Sequence, residues 1–136
     1  MIIREVAVEI GSSLKTAKFK CDRKTKMMTV LMPDGSERSY TDADLYMCFG
    51  KVRKDYPDVK FLCKGSKLNV HPSRMSSQMS GGIIAYEVTA GEPADDDRIV
   101  NIFDYEDRDL TNNIQEQINY YLHWMQSLNK DDVPSI

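Results

Sequence analysis

Three cysteines and two histidines are the side chains best suited to nucleophilic or metal chemistry in this sequence of 136 residues. A catalytic pair could join Cys63 to His71 or His123, but such a nucleophile needs a lowered pKa and an aligned base, and the sequence indicates neither. The histidines are 52 positions apart, and no two cysteines have zinc-ligand spacing. Asp95-Asp96-Asp97 lacks the glycine and terminal glutamate of a calcium loop. We therefore expect no enzyme activity, no metal and no other cofactor.

A dense acidic segment is the strongest charge feature of the chain. The net charge is −3, but residues 87–109 hold nine carboxylates against two arginines, a balance of −7, whereas residues 1–82 have a balance of +6. Such a segment repels nucleic-acid phosphates and attracts basic partners, unless its carboxylates merely decorate solvated turns. The residues expected to bind a basic protein partner are Asp95, Asp96, Asp97, Asp104, Glu106, Asp107 and Asp109.

The segment from His71 to Gly82 offers a second kind of site. A short helix starting near Pro72 would direct backbone amides, the Ser73 hydroxyl and the Arg74 cation toward an anion such as a phosphorylated ligand. The simpler interpretation is a long connection held down by Met75 and Met79, which lie four apart and can plug the core. No Walker or dinucleotide glycine pattern supports the ligand.

A basic stripe in the first hairpin raises the question of nucleic-acid binding, because a basic stripe with an aromatic residue can hold single strands. The stripe surrounds Phe19 and comprises Lys15, Lys18, Lys20, Arg23, Lys24 and Lys26. However, the isoelectric point is about 5.4, and the lysines alternate with apolar residues as on the solvent face of a strand. A solvated edge strand guarded by lysines explains them with fewer assumptions, and we expect no nucleic-acid partner.

The first third of the chain has the alternation of half-buried β-strands. Apolar and polar residues alternate over residues 2–10, 17–22 and 26–32, and turn sequences at Gly11-Ser12-Ser13, Asp22–Thr25 and Asp34-Gly35 separate or follow these runs. This pattern predicts an antiparallel meander.

The remaining chain predicts helices interleaved with short strands. Thr41-Asp42-Ala43-Asp44 resembles a capping box before a helix over about 42–55, which Pro57 ends. Thr111 is the predicted cap of an amphipathic helix over about 112–129. Its predicted inward stripe comprises Ile114, Ile118, Tyr121, Leu122, Met125 and Leu128. The short strands are expected at 59–63, 83–88 and 98–103.

These elements predict one α+β domain over residues 1–130, with a mostly antiparallel sheet, helices packed on one face and a C-terminal amphipathic helix. Residues 131–136 have no periodicity and are expected to form a flexible tail. No apolar run approaches the roughly 20 residues of a membrane-spanning helix, and the first residues do not have the pattern of a signal peptide. The odd number of cysteines, without a CxxC pair, suits reduced thiols, so we expect a cytoplasmic protein without membrane contact.

About half of the chain, residues 61–128, carries a recognisable arrangement of residue types. It consists of Phe61-Leu62-Cys63-Lys64-Gly65, Pro72-Ser73 with Met75 and Met79, Gly81-Gly82, Ala85-Tyr86, Ile99–Asp104, and a last helix with Gln117 and Trp124. The arrangement resembles small bacterial immunity proteins encoded beside polymorphic or contact-dependent growth-inhibition toxins.

This resemblance implies a cytosolic inhibitor that binds one cognate toxin domain and has no catalysis of its own. The dense acidic segment suits a basic toxin such as a nuclease, because carboxylates can occupy a site made for phosphates. The alternatives are a small enzyme or binding protein that uses the His71–Gly82 segment for a phosphorylated ligand, and an adaptor or chaperone for a secreted effector. The sequence leaves the oligomeric state open.

Overall fold

The first four strands follow one another through tight turns, as the alternation predicts. The computed structural model describes residues 1–128. The strands β1 (Ile2–Ile10), β2 (Ser13–Asp22), β3 (Met27–Leu31) and β4 (Glu37–Thr41) form an antiparallel meander, and β5 (Val59–Phe61) pairs with the other edge of β1. The order in this five-stranded sheet is therefore β4-β3-β2-β1-β5.

The alternation correctly sorts side chains between core and solvent in β1 to β3. The buried residues on these strands are Val6, Val8, Ala17, Phe19, Cys21, Met28 and Val30. Strand β4 is missing from the sequence-based prediction because only Tyr40 among its five residues is a large apolar side chain, and the strand lies at the sheet edge. An edge strand with one half-buried residue gives little period-2 signal.

Helix α1 (Leu45–Asp55) packs against β3 and β4, close to the predicted bounds. Its N-cap is Asp44, whose carboxylate accepts the N–H of Met47 at 2.8 Å. The predicted capping box beginning at Thr41 is therefore wrong, because Thr41 is the extended last residue of β4. Leu45, Tyr46, Cys48, Phe49 and Val52 are all buried, which places the apolar stripe of the helix on the core.

Four phenylalanines form the centre of this core. Phe19 on β2 lies 5.5 Å from Phe49 on α1 and 5.4 Å from Phe103, measured between ring centroids. Phe61 on β5 meets Phe49 edge to face at 5.6 Å. Edge-to-face packing of this kind stabilises a core beyond the burial of area alone. The cluster joins the five-stranded sheet, α1 and the second half of the chain.

The second half builds a smaller antiparallel sheet of order β6-β7-β8. Its strands are β6 (Val70–His71), β7 (Ile84–Glu87) and β8 (Ile99–Asn101). Helix α2 (Arg74–Ser80) connects β6 to β7, and 3-10 turns lie at Lys64–Ser66 and Asp96–Arg98. The fold is thus a single small α+β domain, as predicted, with its antiparallel strands divided between two sheets.

The last helix, α3 (Ile114–Ser127), is shorter than predicted and turned about its axis. Asn113 is the N-cap, through a bond from the N–H of Gln115 at 3.0 Å, so the assignment of Thr111 as the cap is wrong. Gln117 and Trp124 are the buried residues of the helix, whereas Leu122 is 50% exposed. The predicted stripe is therefore wrong at Leu122. The predicted tail, 131–136, and the last residues assigned to the domain lie outside the described residues.

A polar network explains why a glutamine occupies the core side of α3. The Gln117 amide donates to the carbonyl oxygens of Gly65 and Lys67, at 2.9 and 2.8 Å, and its oxygen accepts from the buried Arg53. Arg53 also donates to the Thr111 carbonyl at 2.6 Å. A buried amide with all these partners ties α1, α3 and the segment after β5 together.

Candidate functional site

The predicted acidic residues lie on both sides of the edge strand β8. Asp95–Asp97 precede the strand, with Asp96 and Asp97 in the 3-10 turn that runs directly into Ile99. Asp104, Asp107 and Asp109 follow it in the loop that leads toward α3. All six of these aspartates are exposed, whereas Glu106 is partly buried. The structure therefore places the six exposed aspartates in the two segments that precede and follow β8, whereas Glu106 is partly buried.

Glu106 belongs to an ion-pair cluster within the chain. Its Oε1 accepts from Lys67 Nζ at 2.7 Å and from Lys64 Nζ at 2.9 Å. Both lysines also reach Glu87 Oε1, at 3.2 and 2.9 Å respectively. Partial burial opposes ionisation of Glu106, but the hydrogen bonds from Lys67 and Lys64 outweigh it and lower its pKa to about 2. No local sequence pattern indicates this pairing, because the lysines lie about 40 residues before Glu106.

Local contacts fix the backbone around the exposed aspartates. Asp104 Oδ2 accepts the N–H of Asn101 at 3.2 Å, and the Asn101 carbonyl accepts the N–H of Asp104 at 3.0 Å. Asp109 has a φ of 56°, a left-handed conformation that aspartate tolerates better than most residues. Arg98, the cation inside the first acidic group, donates to Glu92 at 2.6 Å and to Thr89 at 2.7 Å. Hydrogen bonds within the loops therefore hold the backbone that carries these carboxylates.

The first part of the His71–Gly82 segment, from His71 to Gln78, lines a cavity of about 410 Å³. Lys26 and Arg74 line the same cavity and could attract an anion. However, Ser73 caps the seven-residue helix α2 by accepting the N–H of Ser76 at 3.0 Å, and Ser77 donates to the Asp44 carboxylate. The Ser73 hydroxyl, which the sequence assigns to a ligand, and the neighbouring Ser77 hydroxyl are therefore engaged in holding the short helix.

His71 is built into the wall of this cavity. Its ring stacks on Tyr121 of α3 at 4.2 Å and meets Tyr46 edge on at 5.0 Å. Its Nδ1 lies 2.6 Å from the carbonyl oxygen of Pro72. Burial lowers the pKa of His71, which favours the neutral ring. These contacts assign His71 a packing role between β6 and α3.

The cysteines have the properties of buried hydrophobic residues. Burial raises the pKa of Cys63 to about 11, that of Cys48 to about 11 and that of Cys21 to about 12. All three are free thiols. Because the thiolate is the nucleophile, thiols with such values are unreactive at neutral pH. His123 is exposed on α3.

The basic stripe lies on the central strand β2, with Lys15, Lys18 and Lys20, and on the turn that follows it, with Arg23, Lys24 and Lys26. Strand β2 runs between β1 and β3, so the prediction of an edge strand guarded by lysines is wrong. Phe19 is completely buried in the phenylalanine cluster and cannot stack on a base. Glu5 on β1 stands directly opposite Lys18, which reduces the positive charge there.

Met75 and Met79 are exposed, which the sequence-based interpretation did not anticipate. Their exposed fractions are 56% and 77%, so the prediction that they plug the core is wrong. The inward bonds of α2 come from serines instead, with Ser77 donating to Asp44 and Ser80 accepting the N–H of Ile84 at 3.0 Å. Because the short helix α2 directs its serine hydroxyls inward, its methionines face the solvent.

Residues 1–128 contain no group of three or more His, Cys, Asp or Glu side chains arranged to hold a metal ion. Within the same range, no helix has the length and hydropathy needed to cross a membrane. Comparison with protein-family models and with curated protein sequences finds no match for this chain.

Proposed function

We propose that this protein is an immunity protein, which binds a cognate bacterial toxin domain in the cytosol and neutralises it without catalysis. The proposed contact surface is the acidic surface around β8, defined as Asp95, Asp96, Asp97, Asp104, Asp107 and Asp109. Glu106, included in the sequence-based prediction, positions this surface through Lys64 and Lys67.

The single observation that supports the proposal is that the aspartates around β8 carry charge that no residue of the described chain neutralises in an ion pair. Within residues 1–128, the nearby cations Lys64, Lys67 and Arg98 are paired with glutamates, namely Glu87, Glu106 and Glu92. Arg108, the exposed residue between Asp107 and Asp109, is the one cation of the acidic segment outside these pairs, and it leaves the segment strongly negative. The six aspartates of the acidic surface form no ion pair with any described residue. Their charge is therefore available to a partner.

The nature of the partner follows from this charge. A cluster of exposed carboxylates raises the rate of association with a basic protein and disfavours nucleic acid. A nuclease presents a basic site that binds phosphates, and carboxylates fixed on loops can occupy such a site in their place. The resemblance of residues 61–128 to immunity proteins supports the same class of partner.

The test uses the gene immediately upstream of the gene for this protein. The C-terminal domain of the upstream product is expressed inducibly, with and without this chain, and growth is recorded. We expect growth arrest that this chain relieves, together with a 1:1 complex by size-exclusion chromatography with light scattering. A non-toxic upstream product, or growth arrest that persists with soluble protein present, would contradict the proposal.

A ligand-binding function is the second candidate, favoured by the cavity that Lys26 and Arg74 line. Its test is a titration with inorganic phosphate and with phenyl phosphate, followed through the NMR signals of His71 and Arg74. Saturable shifts that Arg74→Gln abolishes would favour the ligand. We expect no saturable shifts, since the Ser73 and Ser77 hydroxyls are already bonded within the chain.

A further inference from the structure

An apolar strip crosses the outer face of the small sheet. Tyr86 on β7 is paired with Ile99 on β8, and directly opposed residues of antiparallel strands project to the same side. Ile84, two residues before Tyr86, shares that side, whereas Ala85 between them is completely buried on the core side. Ile99 is 42% exposed. The side opposite Ala85 thus carries three large apolar side chains. They lie beside His71, which is paired with Tyr86 on the same side and is covered by Tyr121 of α3.

Helix α2 extends this strip. Met75 and Met79 lie one turn apart on the same side of the helix. Together with Ile84 and Tyr86 they line a shallow cavity of about 250 Å³ between α2 and β7. We define the apolar strip as Met75, Met79, Ile84, Tyr86 and Ile99. Clustered exposed apolar residues of this kind mark interaction sites more often than isolated ones do.

Negatively charged side chains border the apolar strip at β8. Asp96 and Asp97 lie in the 3-10 turn whose last residue immediately precedes Ile99. The cation in that turn, Arg98, is paired with Glu92. The strip is therefore adjacent to Asp95–Asp97, the part of the acidic surface that precedes β8. An apolar centre with a charged rim is the usual organisation of a protein–protein interface.

We propose that the apolar strip receives a protruding apolar side chain of a partner protein, and that arginines or lysines flanking this side chain meet Asp95–Asp97. The proposal rests on the proposed function and gives its interface an apolar centre. Charge complementarity selects the occupant, because a second copy docked through the same face, or an acidic protein, would place carboxylates against carboxylates at this rim. Methionine side chains adapt their shape to a bound residue, which suits the α2 side of the strip.

The first experiment uses a defined peptide instead of the toxin. The probe is acetyl-Arg-Arg-Leu-Trp-Arg-Arg-amide, titrated into the full-length protein while the methyl signals of Met75, Met79, Ile84 and Ile99 are followed by NMR. We expect shifts concentrated in the methyl groups of these four residues. A peptide with Gly-Gly in place of Leu-Trp, and one with glutamate in place of arginine, should each leave them unchanged.

Several outcomes of this experiment would overturn the proposal. Shifts confined to other methyl groups would place the apolar site elsewhere, and equal shifts with the Gly-Gly peptide would reduce the interaction to charge alone. Nuclear Overhauser contacts between these methyl groups and residues 129–136 would show that the strip binds the chain's own C-terminal residues and not a partner. Concentration-dependent dimerisation that Met79→Gln abolishes would assign it to a second copy.

The second experiment separates this proposal from the proposed function. The double variant Met75→Gln/Met79→Gln should bind the toxin domain about 30-fold or more weakly, as expected for an interface hot spot. Leu14→Gln is the matched control, because Leu14 is 70% exposed at the far β1–β2 turn. Unchanged affinity of the double variant would overturn the proposal that the apolar strip contacts the toxin, and it would leave the immunity role intact. Peptide binding at the strip without toxin neutralisation would contradict the immunity role alone.

Discussion

The guanidinium of Arg53 lies 2.7 Å from the side-chain oxygen of Gln117, between α1 and α3. Both residues are completely buried, and the other acceptors of Arg53 are the carbonyl oxygens of Thr111 and Phe49. No described carboxylate pairs with this arginine. Burial lowers the pKa of Arg53, but an arginine keeps its charge in proteins. Neutral oxygens and the face of the Phe49 ring, whose centroid lies 4.9 Å from the guanidinium carbon, therefore stabilise a buried cation.

Gln117→Ala should destabilise the protein by about 3 kcal/mol, because a buried cation and two carbonyl oxygens would lose a partner. Chemical denaturation measures the change in the free energy of unfolding. Gln115→Ala is the control on the same helix, since the Gln115 amide bonds only to exposed Asn119. A similar loss in both variants would contradict the role given to the network.

Trp124→Ala should cost about 3–5 kcal/mol, since the indole is 2% exposed and its Nε1 donates to the Glu92 carbonyl at 2.7 Å. Leu122→Ala, two positions earlier, should cost less than about 1 kcal/mol because half of its side chain is already in water. Thermal and urea unfolding of the two variants gives the order. A larger loss for Leu122→Ala than for Trp124→Ala would instead support the inward stripe predicted from the sequence.

Gly50→Ala should destabilise the contact between α1 and α3. A Cβ at position 50 would lie 2.5 Å from Ile114 Cδ1 and 3.0 Å from Ile114 Cβ. Overpacking costs about 1–3 kcal/mol, which exceeds the roughly 1 kcal/mol that alanine gains in helix propensity. A double-mutant cycle with Ile114→Ala should show a coupling that relieves part of the loss. Additive effects would exclude the clash as the cause.

The cluster around Glu106 predicts a pH dependence of stability. The folded pKa of Glu106, about 2, lies below its ordinary value of 4.5, so the unfolded chain binds the proton more readily. The stabilisation is therefore complete above about pH 5 and is lost as the pH falls toward 2. Glu106→Gln should reduce the loss of unfolding free energy between pH 6 and 3. An unchanged acid limb would contradict the cluster, and Asp107→Asn serves as the exposed control.

The features that depend on local pattern could be predicted from the sequence. Alternation identified the first three strands, and the spacing of Leu45, Cys48, Phe49 and Val52 identified α1. These predictions succeed because burial on one face imposes the period of the element on its residues. The α+β class followed from the order of the elements.

The features that depend on distant contacts could not be predicted. Gln117 belongs to the core because Gly65, Lys67 and Arg53 supply its partners, and none of them is near it in sequence. A hydrophobic pattern therefore assigns the core position to Leu122 instead. The exposure of Met79 has the same kind of cause, since Asp44 engages the opposite side of α2 through Ser77.

The acidic surface should increase the rate at which the protein binds the toxin domain. One triple variant carries Asp95→Asn, Asp96→Asn and Asp97→Asn, and the other carries Asp104→Asn, Asp107→Asn and Asp109→Asn. Asn tolerates the left-handed backbone at position 109 as well as Asp does, so the loop should keep its shape. Each variant should associate roughly tenfold more slowly at low salt.

The salt dependence distinguishes steering from direct contact. Exposed charges act over about 8 Å at physiological ionic strength, so the difference in association rate should shrink as salt is added. A faster dissociation that persists at high salt would instead place the carboxylates against toxin arginines within the interface. The variant Glu5→Gln/Glu37→Gln/Asp58→Asn removes three other exposed carboxylates and controls for net charge. If both acidic triples matched this control in rate, affinity and salt slope, the surface would have no part in recognition.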